Sequence, residues 1–291
     1  MKKLISLFLG VSVLLLAACS KQPDTASSEQ KNDAAGLQTV VIASTGSDAD
    51  IWRHIASLPE TKAAGIKLEV KNFTDYVAMN TAVANKEVDL NAFQSYAYLV
   101  AFNAANKDKI APVSTTYLEP MGIYSNKVKK VEEFAQGATI AIPNDGANES
   151  RALLLLQSAG LIKLKPDFDP VKGTPADIIE NSKKIVIKPI QMATAVRVKD
   201  EVDAILLGNT LAMEGGLNVL KDAIFYEPID QSTKLNVNVL ATAESRKDDA
   251  VLQKVGALYH TEAVKQYVQE HFAGTKVDVN KPTSYLTEAN P

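Results

Sequence analysis

One cysteine, Cys19, serves the whole 291-residue chain. That count excludes a disulfide and a cysteine-based metal site. Histidine is nearly as scarce. His54, His260 and His271 show no HExxH or related ligand spacing, so they read as structural or surface residues and no metal is expected. The sequence also lacks a GxSxG elbow, a GxGxxG after a strand and a phosphate-binding P-loop. No pair of carboxylates is singled out by apolar surroundings, as a raised-pKa acid would require. Neither an enzyme nor a cofactor is therefore expected. Basic residues number 31 against 34 acidic ones, with no basic stripe among aromatics, which argues against nucleic acid as a partner. Beyond the N-terminal segment no apolar run approaches the roughly 20 residues that span a bilayer.

What is present begins with a leader. Lys2 and Lys3 precede an apolar stretch, Leu4 to Leu16, and "LAAC" ends it at Cys19. The pattern is that of a secretory signal, too short for a membrane span. Small residues directly before a cysteine resemble the bacterial lipobox. The resemblance implies cleavage after residue 18, acylation of Cys19 and anchorage in a membrane on its extracytoplasmic side; several acyl chains make such an anchor stable. Residues 19–36 are polar and read as a flexible tether. The chain as a whole is 46% hydrophobic and 22% charged, a globular balance.

Strand-like and helix-like patterns alternate along that remainder. "TVVIAST", "IKLEVKNF", "VDLNAF", "TIAIPND", "KIVIKPI", "DAILLGN" and "NVNVLAT" are short, rich in β-branched residues and bounded by turn residues. Helical stretches are expected over 48–58, 75–86, 94–105, 148–159, 191–199 and about 248–271. The fold class is α/β, with parallel sheets covered by helices on both faces. Two long extended segments, 113–125 and 224–240, are each interrupted by a proline. Read as crossings, they divide the chain into a first lobe, 37–117 and 233–291, and a second lobe, 118–232. They read equally well as edge strands, where proline is tolerated.

Open α/β sheets bind ligands at the C-terminal ends of their strands. Phe73 ends one strand, with Tyr76 opening the next helix; Phe93 ends another, followed by Ser95, Tyr96 and Tyr98. Asn209 ends a third. "NESRALLLLQ" reads as a helix capped by Asn148, which puts Arg151 in the first turn, where the helix dipole already carries partial positive charge. Such a cation either escapes to solvent or awaits an anion. Aromatic walls, a guanidinium and amide groups suit a small zwitterion with an apolar side chain.

These motifs carry a resemblance. The lipobox, "FTDYVAMNTAVANKEVDLNAFQ", "AIPNDGANESRALLLLQSAGLIKLK", "LLGNT" and "LNVNVLAT" are similar to the methionine-binding lipoproteins of bacterial ABC importers over essentially all of residues 38–270. The resemblance implies two lobes, joined by extended hinge strands, that close on free methionine and deliver it to a permease with its ATPase. It implies that Arg151 and Asn148 take the ligand carboxylate. Asn209 and Asn238 would take the ammonium or share the carboxylate, and Phe73, Tyr76, Phe93 and Tyr98 would wall the thioether. One departure stands out: "NAFQSYAYL" has Ser95 and Ala97 where family members commonly read His and Pro. A D-amino acid, a larger side chain or a methionine-containing dipeptide would fit the same clamps. The alternative functional readings are a surface lipoprotein for adhesion or partner binding, and a lipid-anchored hydrolase.

Overall fold

The structure, a computed structural model, describes residues 36–229 and 231–288. The leader, Cys19 and the tether up to residue 35 lie outside the described residues. In chain order the first part holds β1 (Gln38–Ser44), α1 (Gly46–Ser57), α2 (Pro59–Ala63), β2 (Ile66–Asn72), α3 (Tyr76–Ala84), β3 (Leu90–Ser95), α4 (Tyr96–Ala105) and β4 (Ile110–Thr115). A second part follows with β5 (Tyr117–Leu118), β6 (Met121–Tyr124), β7 (Thr139–Pro143), α5 (Gly146–Ser158), β8 (Lys163–Leu164), β9 (Ile178–Glu180) and β10 (Val186–Ile190). The rest comprises β11 (Ala204–Gly208), α6 (Asn209–Glu214), α7 (Val219–Asp222), β12 (Phe225–Tyr226), β13 (Asn238–Ala243), α8 (Ala250–Tyr259), α9 (Glu262–Phe272) and β14 (Val277–Asp278).

Two five-stranded sheets organise the chain, ordered β2-β1-β3-β13-β4 and β10-β7-β11-β6-β12. This is an α/β fold with two sheet-containing lobes flanked by helices. The sheets are mixed rather than parallel throughout. β2, β1 and β3 run parallel, as do β10, β7 and β11, while β13 and β6 enter antiparallel beside them. The chain leaves the first sheet after β4 and returns to it only with β13, so it passes between the sheets twice. Both passages also carry edge strands, β4 and β12, but the prolines of 113–125 and 224–240, Pro120 and Pro228, lie outside those strands.

Alternation along the strands feeds a core on each face. Val40 and Ile42 point into one cluster with Trp52, Ile55, Val255 and Val264, while Ala43 joins Met79, Val83 and Val239 in another. In the second lobe, Ile140 and Ile142 meet Leu153, Leu155 and Leu156 of the four-leucine run, and Ala141 faces Leu207 and Val219. The stretch 248–271, expected as one helix, is two. α8 ends at Tyr259, and Thr261 opens α9 as its N-cap. Residues 192–198 form 3₁₀ turns rather than an α-helix.

Candidate functional site

Register places the strand ends side by side. Ser44 pairs with Asn72 and with Ala92, and Asn238 of β13 lies opposite Ser95. The residues just beyond these positions, and those beyond β7 and β11, border a cavity between the two sheets. From the first lobe it is lined by Thr45, Asp48, Tyr76, Phe93, Gln94, Ser95, Tyr98 and Asn238. Asn148, Arg151, Met192, Gly208, Thr210 and Leu211 come from the other side, with Glu119 on the passage between. An outer chamber shares Thr45, Tyr76, Tyr98, Met192 and Leu211 and adds Asp75, Asp145 and Glu214.

Three rings make one wall. Tyr76 and Phe93 stack with centroids 5.2 Å apart, and Tyr98 meets Phe93 edge-on at 5.8 Å. Burial raises the phenols of Tyr76 and Tyr98 well above their usual range, so both stay neutral donors. Ser95 caps α4 by accepting from the Tyr98 amide at 3.3 Å. Phe73 lies apart, packed against the core cluster with Phe93 and Tyr96, and is not among the cavity's lining residues. Behind Phe93, three buried amides interlock: Gln94 Nε2 donates to Asn80 Oδ1 (2.7 Å) and Asn91 Oδ1 (2.8 Å), and Asn80 Nδ2 donates to Gln94 Oε1 (2.9 Å).

The helix carrying Arg151 begins earlier than its sequence suggested. Asp145 is the N-cap of α5 and accepts from the Asn148 amide at 3.1 Å and its Nδ2 at 2.9 Å; Arg151 therefore sits in the second turn. Its guanidinium is not alone either. Nε donates to Glu227 Oε1 at 2.9 Å and Nη2 to Glu227 Oε2 at 2.6 Å, with a further bond from Nη2 to the Glu119 carbonyl at 2.8 Å. Glu227 in turn accepts from the Met121 amide at 2.7 Å. Only Nη1 of Arg151 has no partner among the described residues. The expectation of a cation waiting alone for an anion is thus corrected: a buried glutamate already holds most of it in place.

Sequence reasoning missed the polar floor. Lys276, its side chain fully buried, donates to Glu119 Oε2 (2.6 Å), Thr210 Oγ1 (2.7 Å) and Asp48 Oδ1 (2.9 Å). The Tyr117 ring lies 4.0 Å from its ammonium, and the Tyr117 hydroxyl donates to Asp48 Oδ1 at 2.6 Å. Burial would lower Lys276, yet Asp48 and Glu119 hold it above its usual value. Burial also acts on Glu119, but Lys276 and the bond from Asn209 keep that carboxyl below the ordinary range. Asp48 goes the other way: burial lifts it despite Lys276. A buried carboxylate pair thus exists where the sequence singled out none. Asn209 belongs to this layer rather than to the cavity wall, its Nδ2 donating to Glu119 Oε2 (3.2 Å) and Thr275 Oγ1 (3.1 Å). The Asn238 side-chain amide lines the cavity and has no partner among the described residues.

The profile of the NlpA lipoproteins matches residues 40–280. The chain belongs to the NlpA lipoprotein family. A relative from Pasteurella multocida named "Probable D-methionine-binding lipoprotein MetQ" is 35% identical over 272 residues, 94% of this chain and 96% of its own. Among solved structures, a nutrient-binding protein from Burkholderia cenocepacia bound to methionine superposes with a TM-score of 0.76 at 33% identity, covering 82% of this chain and 99% of its own. The substrate-binding protein of a methionine transporter from Streptococcus pneumoniae is 38% identical with a TM-score of 0.75, covering 83% and 95%. The NlpA match runs through both sheets and through all the cavity-lining residues. No helix among the described residues is long and apolar enough to cross a membrane.

Proposed function

We propose that this NlpA lipoprotein is the lipid-anchored solute-binding component of an ABC importer, and that it takes methionine or a related amino acid between its lobes. The reading is supported by relatives named for methionine binding and by one feature of the cavity. A guanidinium nitrogen, two amide side chains and a three-ring wall converge on a single space. Arg151 Nη1 and Asn148 receive the ligand carboxylate, a charge-assisted pairing. Asn238 accepts from the ammonium, and Tyr76, Phe93 and Tyr98 enclose the thioether. Ser95 leaves the side-chain end of the pocket wide. Asn209 is held through its Nδ2 by Glu119 while its Oδ1 has no partner among the described residues, and Phe73 supports the wall from behind.

Capture follows from differential affinity. A ligand bridging the lobes favours the closed form, because only there does it touch both. Residues 37–117 and 233–291 form one lobe and 118–232 the other. Residues 1–18 are removed, Cys19 is acylated and 19–36 tether the domain at the extracytoplasmic face of a membrane. Permease and ATPase are separate chains, and this one binds without transforming its ligand. Mass spectrometry of ligand co-purifying with the protein, followed by calorimetry with L- and D-methionine, tests the reading. A methionine-like amino acid and saturable heat are expected. An empty protein that gives no heat with either enantiomer overturns it.

A further inference from the structure

The first helix begins without a cap of its own. Thr45, at the N-cap of α1, makes no side-chain bond there, and Asp48 in the first turn is held by Lys276 and Tyr117 on the cavity floor. The Ser47 hydroxyl is buried and has no partner among the described residues. A helix start with uncapped N–H groups carries partial positive charge and draws a carboxylate. Here the carboxylate comes from across the cavity. Glu214 ends α6, which follows β11 of the second sheet. Its carboxylate fills the space where a Cβ on Gly46 would stand, and the Ser47 backbone N–H hydrogen-bonds to it. Gly46, with φ at +46°, is thus required twice, by its own backbone and by the carboxylate seated on it.

The rest of α6 leans the same way. Met213 packs against the core of the first lobe, and Asn209 and Thr210 reach Thr275 and Lys276 beyond α9. Glu214 also borders the outer chamber of the cavity. A cap supplied from across the cavity exists only while its two sides are together, so the contact favours the closed form over the open one. We propose that Glu214 is a latch: a positioning residue that caps α1 from the opposite lobe and thereby sets how slowly the bound ligand leaves. The inference rests on the proposed function and adds to it, because the latch works without touching the ligand.

The test measures association and dissociation rates by stopped flow for whichever methionine enantiomer the wild type binds, in wild type, Glu214→Ala and Glu214→Gln. Glu214 is exposed, so both variants should fold. Loss of a helix cap typically shifts an equilibrium by about fivefold. Glu214→Ala is therefore expected to speed dissociation about fivefold, with association changed by less than about twofold. A glutamine oxygen still accepts from the Ser47 N–H, so Glu214→Gln should release within about twofold of wild type. Unchanged dissociation in Glu214→Ala, a loss carried by association instead, or a Gln variant that releases as fast as the Ala variant overturns the latch and leaves the proposed function standing. A wild type that binds neither enantiomer removes the proposed function itself, and the latch with it.

Discussion

Arg151 and Glu227 form a pair with two separable consequences. Each side chain is 9% exposed, and the guanidinium meets the carboxylate through two of its nitrogens. Removing the cation alone leaves Glu227 buried and unpaired, a loss of about 3–5 kcal/mol in comparable pairs. Arg151→Ala should therefore lower the urea midpoint sharply and weaken amino-acid binding by roughly 30-fold or more. Replacing both partners, as in Arg151→Met with Glu227→Leu, should recover most of the stability, because an apolar pair of similar volume carries no desolvation penalty. Binding should not recover. Calorimetry that finds the double variant within threefold of wild type would take Arg151 out of the ligand's reach. Of the residues in this cavity, the sequence pointed to Arg151, Asn148, Tyr76, Phe93, Ser95 and Tyr98 because they sit at strand ends or helix starts in recognisable motifs, and to Asn238 through the family resemblance. Asp48, Glu119 and Lys276 carry no such signature. Lys276 meets Asp48 across 228 positions, and no local pattern reports a contact that only the tertiary fold creates.

At the scale of elements, α3 and β3 are joined by polar rather than apolar contacts. Asn80 on α3 accepts from both Asn91 and Gln94 on β3, the strand that carries Phe93. Asn80→Ala would strand those buried donors at about 1–3 kcal/mol each. It should lower the melting temperature and also loosen ligand binding, since Phe93 lies between the two tied residues; an Ala variant with unchanged affinity would separate the amide cluster from the wall. A second junction is pH-sensitive. Asp203 accepts from the Thr139 amide at 2.8 Å and from Lys127 at 3.0 Å, tying the start of β11 to β7. The Thr139 bond and then Lys127 hold its carboxyl below its ordinary value. A depressed carboxylate contributes stability above its unfolded pKa and loses it as pH falls through the folded value. Asp203→Asn should thus remove less than about 1 kcal/mol at neutral pH, the site being mostly solvent-screened, and flatten the decline of stability below about pH 4. Urea titrations across that range check the sign. Apolar periodicity and turn residues made most of these elements legible in the sequence. The pattern failed where apolar periodicity ran on through a turn: it hid the break at His260 between α8 and α9.

At the scale of the molecule, each lobe has its own large apolar core, and only a small cluster of Ala97, Ala147 and Val171 bridges the two. The pair of chain passages and the buried polar layer around Lys276 also join them. That lysine follows α9, while its partner Thr210 stands on α6 after β11 and Glu119 lies on a passage between the sheets. Lys276→Met keeps the volume and removes the shared donor, leaving Asp48 and Glu119 side by side with no cation. The two lobes should then uncouple. Wild-type protein is expected to melt as one unit, its calorimetric and van't Hoff enthalpies equal; the variant's calorimetric enthalpy should exceed its van't Hoff value, the mark of two transitions. A ligand that bridges the lobes should reverse this. At 100 times its dissociation constant it adds about 2.7 kcal/mol to the closed, fully folded form and nothing to a form with one lobe open. Saturating amino acid should therefore merge the variant's two transitions into one. Equal enthalpies in ligand-free Lys276→Met would mean that the passages and the small apolar cluster couple the lobes, and that the buried lysine serves the site without serving the fold.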